Sequence, residues 1–311
     1  MTAVLAPGVQ IVLAGIFGTL VLATASVRVV RFRLAPSLAT DLALRIRTWW
    51  IMCAVFVSAL LIGRNASLVF LAVASFLALR EYLSIVPLRP TDRTAVGVAY
   101  VAILAQYGLI EFGRHDLVPI VVPIFALFAL PIALLRGGET EAFLERLATI
   151  SWGVLAFVYG FGYLAVLLAT GDLFDAGAGG AGWMLYLVVS AQASDVVQYA
   201  AGKAVGRRPI APRISPKKTW EGLIAGLVAA TALAWLLGPW LTPLVGWRAA
   251  LGGLVIGLAG FLGGLTMSAI KRDLGLKDSG TLLPGHGGML DRIDSLYLSA
   301  PALYLLLCVL A

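Results

Sequence analysis

Residues 222–245 read GLIAGLVAATALAWLLGPWLTPLV, without a single ionisable side chain. About 20 apolar residues at 1.5 Å each cross the roughly 30 Å of hydrocarbon in a bilayer, so this stretch predicts a membrane-spanning helix. Outward from it, further apolar runs fall at about 11–30, 49–63, 66–79, 95–112, 117–135, 148–170, 183–201, 248–270 and 294–311. The chain is 60% hydrophobic and 13% charged, against about a quarter charged in soluble domains. The fold class that follows is all-α: a polytopic membrane protein with nine or ten transmembrane helices. The second and third runs are short and flank Arg64 and Asn65, which suits a tight helical hairpin or one re-entrant unit.

Charge sets the expected orientation. With the N-terminus outside and ten spans threaded, the loops after runs 1, 3, 5, 7 and 9 hold 20 of the 23 Lys and Arg residues. Only Arg64, Arg114 and Arg248 fall on the other side. The positive-inside rule then puts the basic loops in the cytosol of a cell (inner or plasma) membrane. The net charge of +7 is thereby topogenic and implies no nucleic-acid partner. The first apolar run lacks a cationic n-region and is followed by Arg28, Arg31 and Arg33, so it reads as a retained helix. Cys53 and Cys308 lie in apolar runs without metal-type spacing and read as inert. His115 reads as a solvated residue of a short external loop, and the segment RFRLAPSLATDLALRIR as topogenic or interfacial.

Two glycine- and proline-punctuated loops, 202–222 and 268–295, stand apart within a C-terminal region, 181–311, that follows the helices of 1–180. The later loop reads SAIKRDLGLKDSGTLLPGHGGMLDRIDS. Ser268, Lys271 and Arg272 are spaced to share one side of a helix leaving the membrane, and Asp291 and Asp294 are spaced to converge on one cation. Lys277, Asp278, His286, Gly287, Gly288 and Arg292 complete the group. Carboxylates suit Mg²⁺, which takes one or two of them and fills its shell with water and phosphate. Cations neutralise phosphate oxygens, and glycine lets the backbone come close. Together these are the parts of phosphoryl or nucleotidyl transfer, which is mostly positioning and charge stabilisation around a metal. The earlier loop adds Ser215, Lys217, Lys218, Thr219 and Glu221 at the start of a helix. Asp195 lies inside an apolar run, where an ionisable group is costly and marks a candidate site.

The pattern Ser268-x-Ile270-Lys271-Arg272-x4-Lys277-Asp278-x-Gly280-x2-Leu283-Pro284-x-His286-Gly287-Gly288-Met289-x-Asp291-Arg292-Ile293-Asp294 resembles the signature of the phosphatidate cytidylyltransferases, or CDP-diacylglycerol synthases. ISPKKTWEG, with Asp195, Gly202 and Gly206 upstream, is similar to that family's second conserved region, and the resemblance covers about 183–300. It implies the reaction of CTP with phosphatidate to give CDP-diacylglycerol and pyrophosphate, with Mg²⁺ and room for a second cation. It also implies a dimer with a polar cavity open to the cytosol. Asp291, Asp294, Asp278 and Asp195 become the candidate metal ligands. Asp291, Lys271, Lys277, Asp278 and His286 become the candidate catalytic groups. Ser215, Lys217, Lys218, Thr219, Ser268, Arg272, Gly287, Gly288 and Arg292 become the substrate-binding set. The family generally carries an aspartate four residues before the serine, where this chain has Gly264, and a small residue where this chain has Gln198. Gly264 opens an alternative, an impaired or altered paralogue that binds CTP or anionic lipid as an accessory protein.

Other classes fit less well. A CDP-alcohol phosphotransferase needs an Asp-Gly pair, and the chain contains none. An anion transporter would spread its charges through the helices, whereas here they gather in loops.

Overall fold

The computed structural model describes residues 5–30, 32, 36–171, 178–280 and 287–310. The helices are α1 (Pro7–Val30), α2 (Pro36–Ile62), α3 (Arg64–Ile85), α4 (Arg93–Glu111), α5 (Val118–Leu135), α6 (Phe143–Gly153) and α7 (Phe161–Thr170). The chain continues through α8 (Gly179–Val205), a hairpin of β1 (Pro209–Ala211) and β2 (Ser215–Thr219), α9 (Trp220–Leu241), α10 (Trp247–Asp273), the short α11 (Leu290–Ile293) and α12 (Leu296–Leu310). Among the described residues nine helical segments are long and apolar enough to cross a membrane. With α8, whose 27 residues carry the polar series Ser190, Gln192, Ser194, Asp195 and Gln198, they account for every run in the sequence. The protein is an all-α multi-pass membrane protein, and among the described residues two short strands form a single antiparallel ladder outside the helices.

The run at 49–63 looked short only because Arg45 and Arg47 precede it. The helix itself starts at Pro36, so α2 and α3 form a hairpin of two full-length helices. Gly63 makes the corner at φ 127°, a conformation open to glycine and strained for any L side chain.

Burial follows the solvent logic of a bilayer. Large side chains such as Leu104, Leu127 and Val228 face outward, while small residues line the seams and let backbones approach. In α10 the buried positions include Gly252, Gly253, Gly257, Gly260, Gly263 and Gly264. A Cβ at Gly253 would lie 2.5 Å from the Ala230 carbonyl oxygen, and one at Gly260 would lie 3.2 Å from the Ser299 hydroxyl. Hence α10 packs between α9 and α12, with α8 against both α9 and α10.

The centre of the molecule is the α6–α7 span, joined by the π-helical stretch Val154–Gly160. Phe157, Val158, Ala165 and Leu167 there are fully buried. Tyr82, Trp152, Phe157 and Tyr297 form an aromatic cluster with ring centroids 5.2–6.0 Å apart, within the range of favourable ring pairs. It joins α3, α6 and the start of α12, so residues on either side of position 180 share one core. Immediately before Tyr82, in the last turns of α3, is Glu81.

Candidate functional site

The site forms where α8, β2, α9, α10 and the 287–294 segment converge. Thr219 ends β2 and caps α9, its hydroxyl accepting the Gly222 N–H at 3.2 Å, which fixes the lysines of β2 beside the helix start. Glu221 accepts the N–H groups of Arg207 and Arg208 at 3.1 and 3.3 Å, tying the entry of the hairpin to α9. Gly206 lets the hairpin close on α8, because a Cβ there would lie 2.8 Å from the Thr219 hydroxyl.

The resulting cavity of about 490 Å³ is lined by Asp195, Gln198, Ser215, Lys217, Lys218, Thr219, Phe261, Gly264, Asp291, Arg292 and Asp294, and by Arg45 and Trp49 of α2. That volume is in the range of small-molecule sites. One wall continues into Val196 and Tyr199, which are 60% and 64% exposed on the outer face of α8. The cavity thus joins a charged interior to an apolar, outward-facing helix surface.

Lys218 reaches α10. Its ammonium lies 5.1 Å from the centroid of the Phe261 ring, a cation–π placement, and 2.8 Å from where a Cβ on Gly264 would stand. An Asp294 oxygen is 3.5 Å from the same point. Burial pushes the Lys218 pKa down, and Asp294 and Asp195 pull it back up. Gln198 donates to the Ser194 hydroxyl at 2.9 Å, and Gly226 is the small residue that admits its side chain.

Asp291 is held from all sides. One oxygen accepts from Lys271 at 2.6 Å, with both side chains nearly buried. The other accepts from the Ser279 N–H and the Gly288 N–H, both at 3.2 Å, and the Ser279 hydroxyl stands 3.0 Å from it. Gly287 adopts φ 80°, and a Cβ there would lie 2.6 Å from the same Asp291 oxygen.

The structure brings together Asp195, Asp291, Asp294, Lys217, Lys218, Ser215, Thr219 and Arg292 around the cavity. Gly287 and Gly288 stand behind Asp291, as does Lys271. Lys277 and Asp278 are exposed and outside the cavity lining. Arg272 is also exposed and reaches the carbonyls of Leu276, at 2.9 Å, and Ile214, at 3.4 Å. Ser268 donates to the Gly264 carbonyl at 2.7 Å. His286 lies outside the described residues. Arg45, Trp49 and Glu81 escaped the sequence reading. Arg45 lies in the segment that reads as topogenic or interfacial, and Glu81 just beyond the edge of an apolar run. Glu81 follows Arg80 outside the run, so the signal that marks Asp195, an ionisable group inside an apolar run, does not apply to it.

Among the described residues no three or more His, Cys, Asp or Glu side chains gather as a ready-made metal cage. Asp195 and Asp294 both line the cavity and their charges repel, a pair that fits a cation taking two carboxylates and completing its shell with phosphate and water.

A model of the cytidylyltransferase family matches residues 43–310. The uncharacterized protein YnbB of Escherichia coli (strain K12) is 38% identical over 294 residues, covering 94% of this chain and 96% of that one. The phosphatidate cytidylyltransferase of Mycobacterium bovis is 43% identical over 131 residues, which is 42% of this chain and 43% of the relative. That of Haemophilus influenzae is 44% identical over 123 residues, or 38% and 43%. The matched stretches thus span less than half of these two enzymes. With a family match over most of its length and a relative aligned almost end to end, this chain belongs to the cytidylyltransferase family.

Proposed function

We propose that this nucleotidyltransferase moves the cytidylyl group of CTP onto phosphatidate, giving CDP-diacylglycerol and pyrophosphate. The observation that carries the lipid acceptor is the cavity itself, cationic inside and open along Val196 and Tyr199 to an apolar outer face. A lipid phosphate can enter while its acyl chains stay against the helices. Lys217, Lys218 and Arg292 are the cations that would meet phosphate oxygens, and Arg45, paired with Asp41, shares the cavity lining.

In the reaction a phosphate oxygen of phosphatidate attacks the α-phosphorus of CTP. The new bond is oxygen to α-phosphorus; the bond broken joins the α-phosphorus to the oxygen that leaves with pyrophosphate. No protein nucleophile is required. The protein's work is to align the two phosphates and to stabilise charge on the transferring group. Mg²⁺, held by Asp195 and Asp294, would neutralise phosphate charge and orient the leaving group. Asp291, whose oxygens are engaged within the chain, keeps Lys271 and the 287–294 turn in place. CTP is a cytosolic nucleotide, so the reading puts loops 202–222 and 268–295 in the cytosol and the N-terminus outside, in agreement with the distribution of Lys and Arg.

A second reading rests on Gly264. The Lys218 ammonium fills the space beside it, so the chain could bind CTP or anionic lipid without turnover. Purified protein given radiolabelled CTP, phosphatidate and Mg²⁺ separates the two. Formation of a labelled lipid supports the transferase; nucleotide binding with no lipid product supports the accessory protein.

A further inference from the structure

Glu81 is a carboxylate of α3 that sequence reasoning gave no role, and it makes three contacts to the 279–290 segment, nearly 200 residues away. Its Oε1 accepts from the Ser279 hydroxyl at 2.5 Å and from the Leu290 N–H at 3.3 Å, and its Oε2 accepts from the Met289 N–H at 2.7 Å. Ser279 is 4% exposed. A Cβ on Gly288 would overlap Glu81 Oε1, and one on Gly280 would lie 3.1 Å from the Glu81 carboxyl carbon. Both ends of the segment are therefore glycine where they meet this one side chain.

The Ser279 hydroxyl also lies 3.0 Å from Asp291 Oδ2. It has one proton and faces two carboxylates, donating to the nearer, Glu81, or to Asp291. Glu81 thus both anchors the backbone at 289–290 and biases the group that orients Asp291, whose other oxygen holds Lys271. Beneath it, the adjacent Tyr82 is locked in the aromatic cluster with Trp152 and Phe157, so the anchor is mounted on the rigid centre of the protein.

We propose that Glu81 is a positioning residue for the transfer reaction: from α3 it holds the Met289–Leu290 turn and, through Ser279, sets Asp291 beside the cavity. The proposal rests on the transferase reading given above, and it concerns alignment rather than contact with substrate. Its signature is therefore a fall in kcat with little change in the KM for CTP, since Lys217 and Lys218, proposed to meet the nucleotide, are on β2, away from the turn.

The test uses the full-length protein in detergent or nanodiscs. Glu81→Ala should lower kcat at least tenfold while KM for CTP stays within about twofold, and Glu81→Gln, which keeps one acceptor, should be intermediate. Ser279→Ala alone should lower kcat less than Glu81→Ala, because Glu81 then keeps its contacts to the Met289 and Leu290 N–H groups. Hydrogen exchange should quicken at Met289 and Leu290 and not in α9 or α10. Wild-type kcat, unchanged exchange at 289–290, or quickened exchange throughout the helices would each overturn the proposal. If wild-type protein forms no CDP-lipid, the transferase reading falls on its own. The exchange pattern then decides whether Glu81 holds the turn, and an unchanged pattern overturns that too.

Discussion

Asp291 bears on both the packing of the 287–294 segment and the proposed transfer. It neutralises Lys271 and accepts two backbone N–H groups, with the Ser279 hydroxyl 3.0 Å away, so Asp291→Ala should abolish transfer and also reduce stability. The expected loss is about 1.5–3 kcal/mol, the worth of one charge-assisted contact. Asp291→Ala combined with Lys271→Met should recover the stability without recovering turnover, read by thermal unfolding beside a CDP-lipid assay. Recovery of both would leave Asp291 a purely structural residue. Lys217 and Lys218 make the complementary case. Changing both to Gln should raise KM for CTP or phosphatidate, or lower kcat, at least about tenfold; unchanged kinetics would reduce them to topogenic charges. At Gly264 the overlapping atom is the tip of a flexible lysine, so Gly264→Asp is tolerable. It would place a third carboxylate near Lys218 and Asp294, and should lower the Mg²⁺ concentration needed for half-maximal turnover. A less stable variant with unaltered Mg²⁺ dependence would show a site organised around the ammonium instead.

At the scale of elements, the molecule relies on a few polar clamps between helices. Asp92, which precedes α4, is 1% exposed and receives Arg146 of α6 at 2.6 Å and the Arg89 N–H at 2.9 Å. Arg146 also donates to the Glu139 carbonyl at 2.8 Å. Removing one partner strands a buried charge, so Asp92→Ala should cost about 3–5 kcal/mol, measured as a loss of thermal stability in detergent. Turnover per folded molecule should be unchanged, because the pair is not among the cavity residues; a specific loss of turnover would tie this clamp to the site. These elements also show where sequence stops being legible. Every apolar run became a helix, since the bilayer imposes one period and one length. The hairpin Pro209–Thr219 was visible only as a punctuated loop, because two strands of three and five residues leave too short a pattern to read. Ser215, Lys217 and Lys218 could be picked out by type, and the spacing of Asp291 and Asp294 by helical period. That Asp291 turns toward Lys271 and Ser279 while Asp294 faces Asp195 and Lys218 depends on contacts between distant segments. Glu81 belongs to the same class: its partners are at 279, 289 and 290, and nothing local to α3 announces them.

Across the whole molecule, a bundle built on α6–α7 carries a charged cavity at one end and an apolar coat along its sides. The cavity meets that coat at Val196 and Tyr199, which is what a reaction between a soluble nucleotide and a lipid requires. The most direct measurement is product formation by purified full-length protein from radiolabelled CTP and phosphatidate with Mg²⁺, with the lipid product identified by mass. The predicted result is CDP-diacylglycerol and pyrophosphate in equal amounts, lost when Asp294 is changed to Asn. No CDP-lipid from protein that is folded and binds CTP would contradict the transferase account.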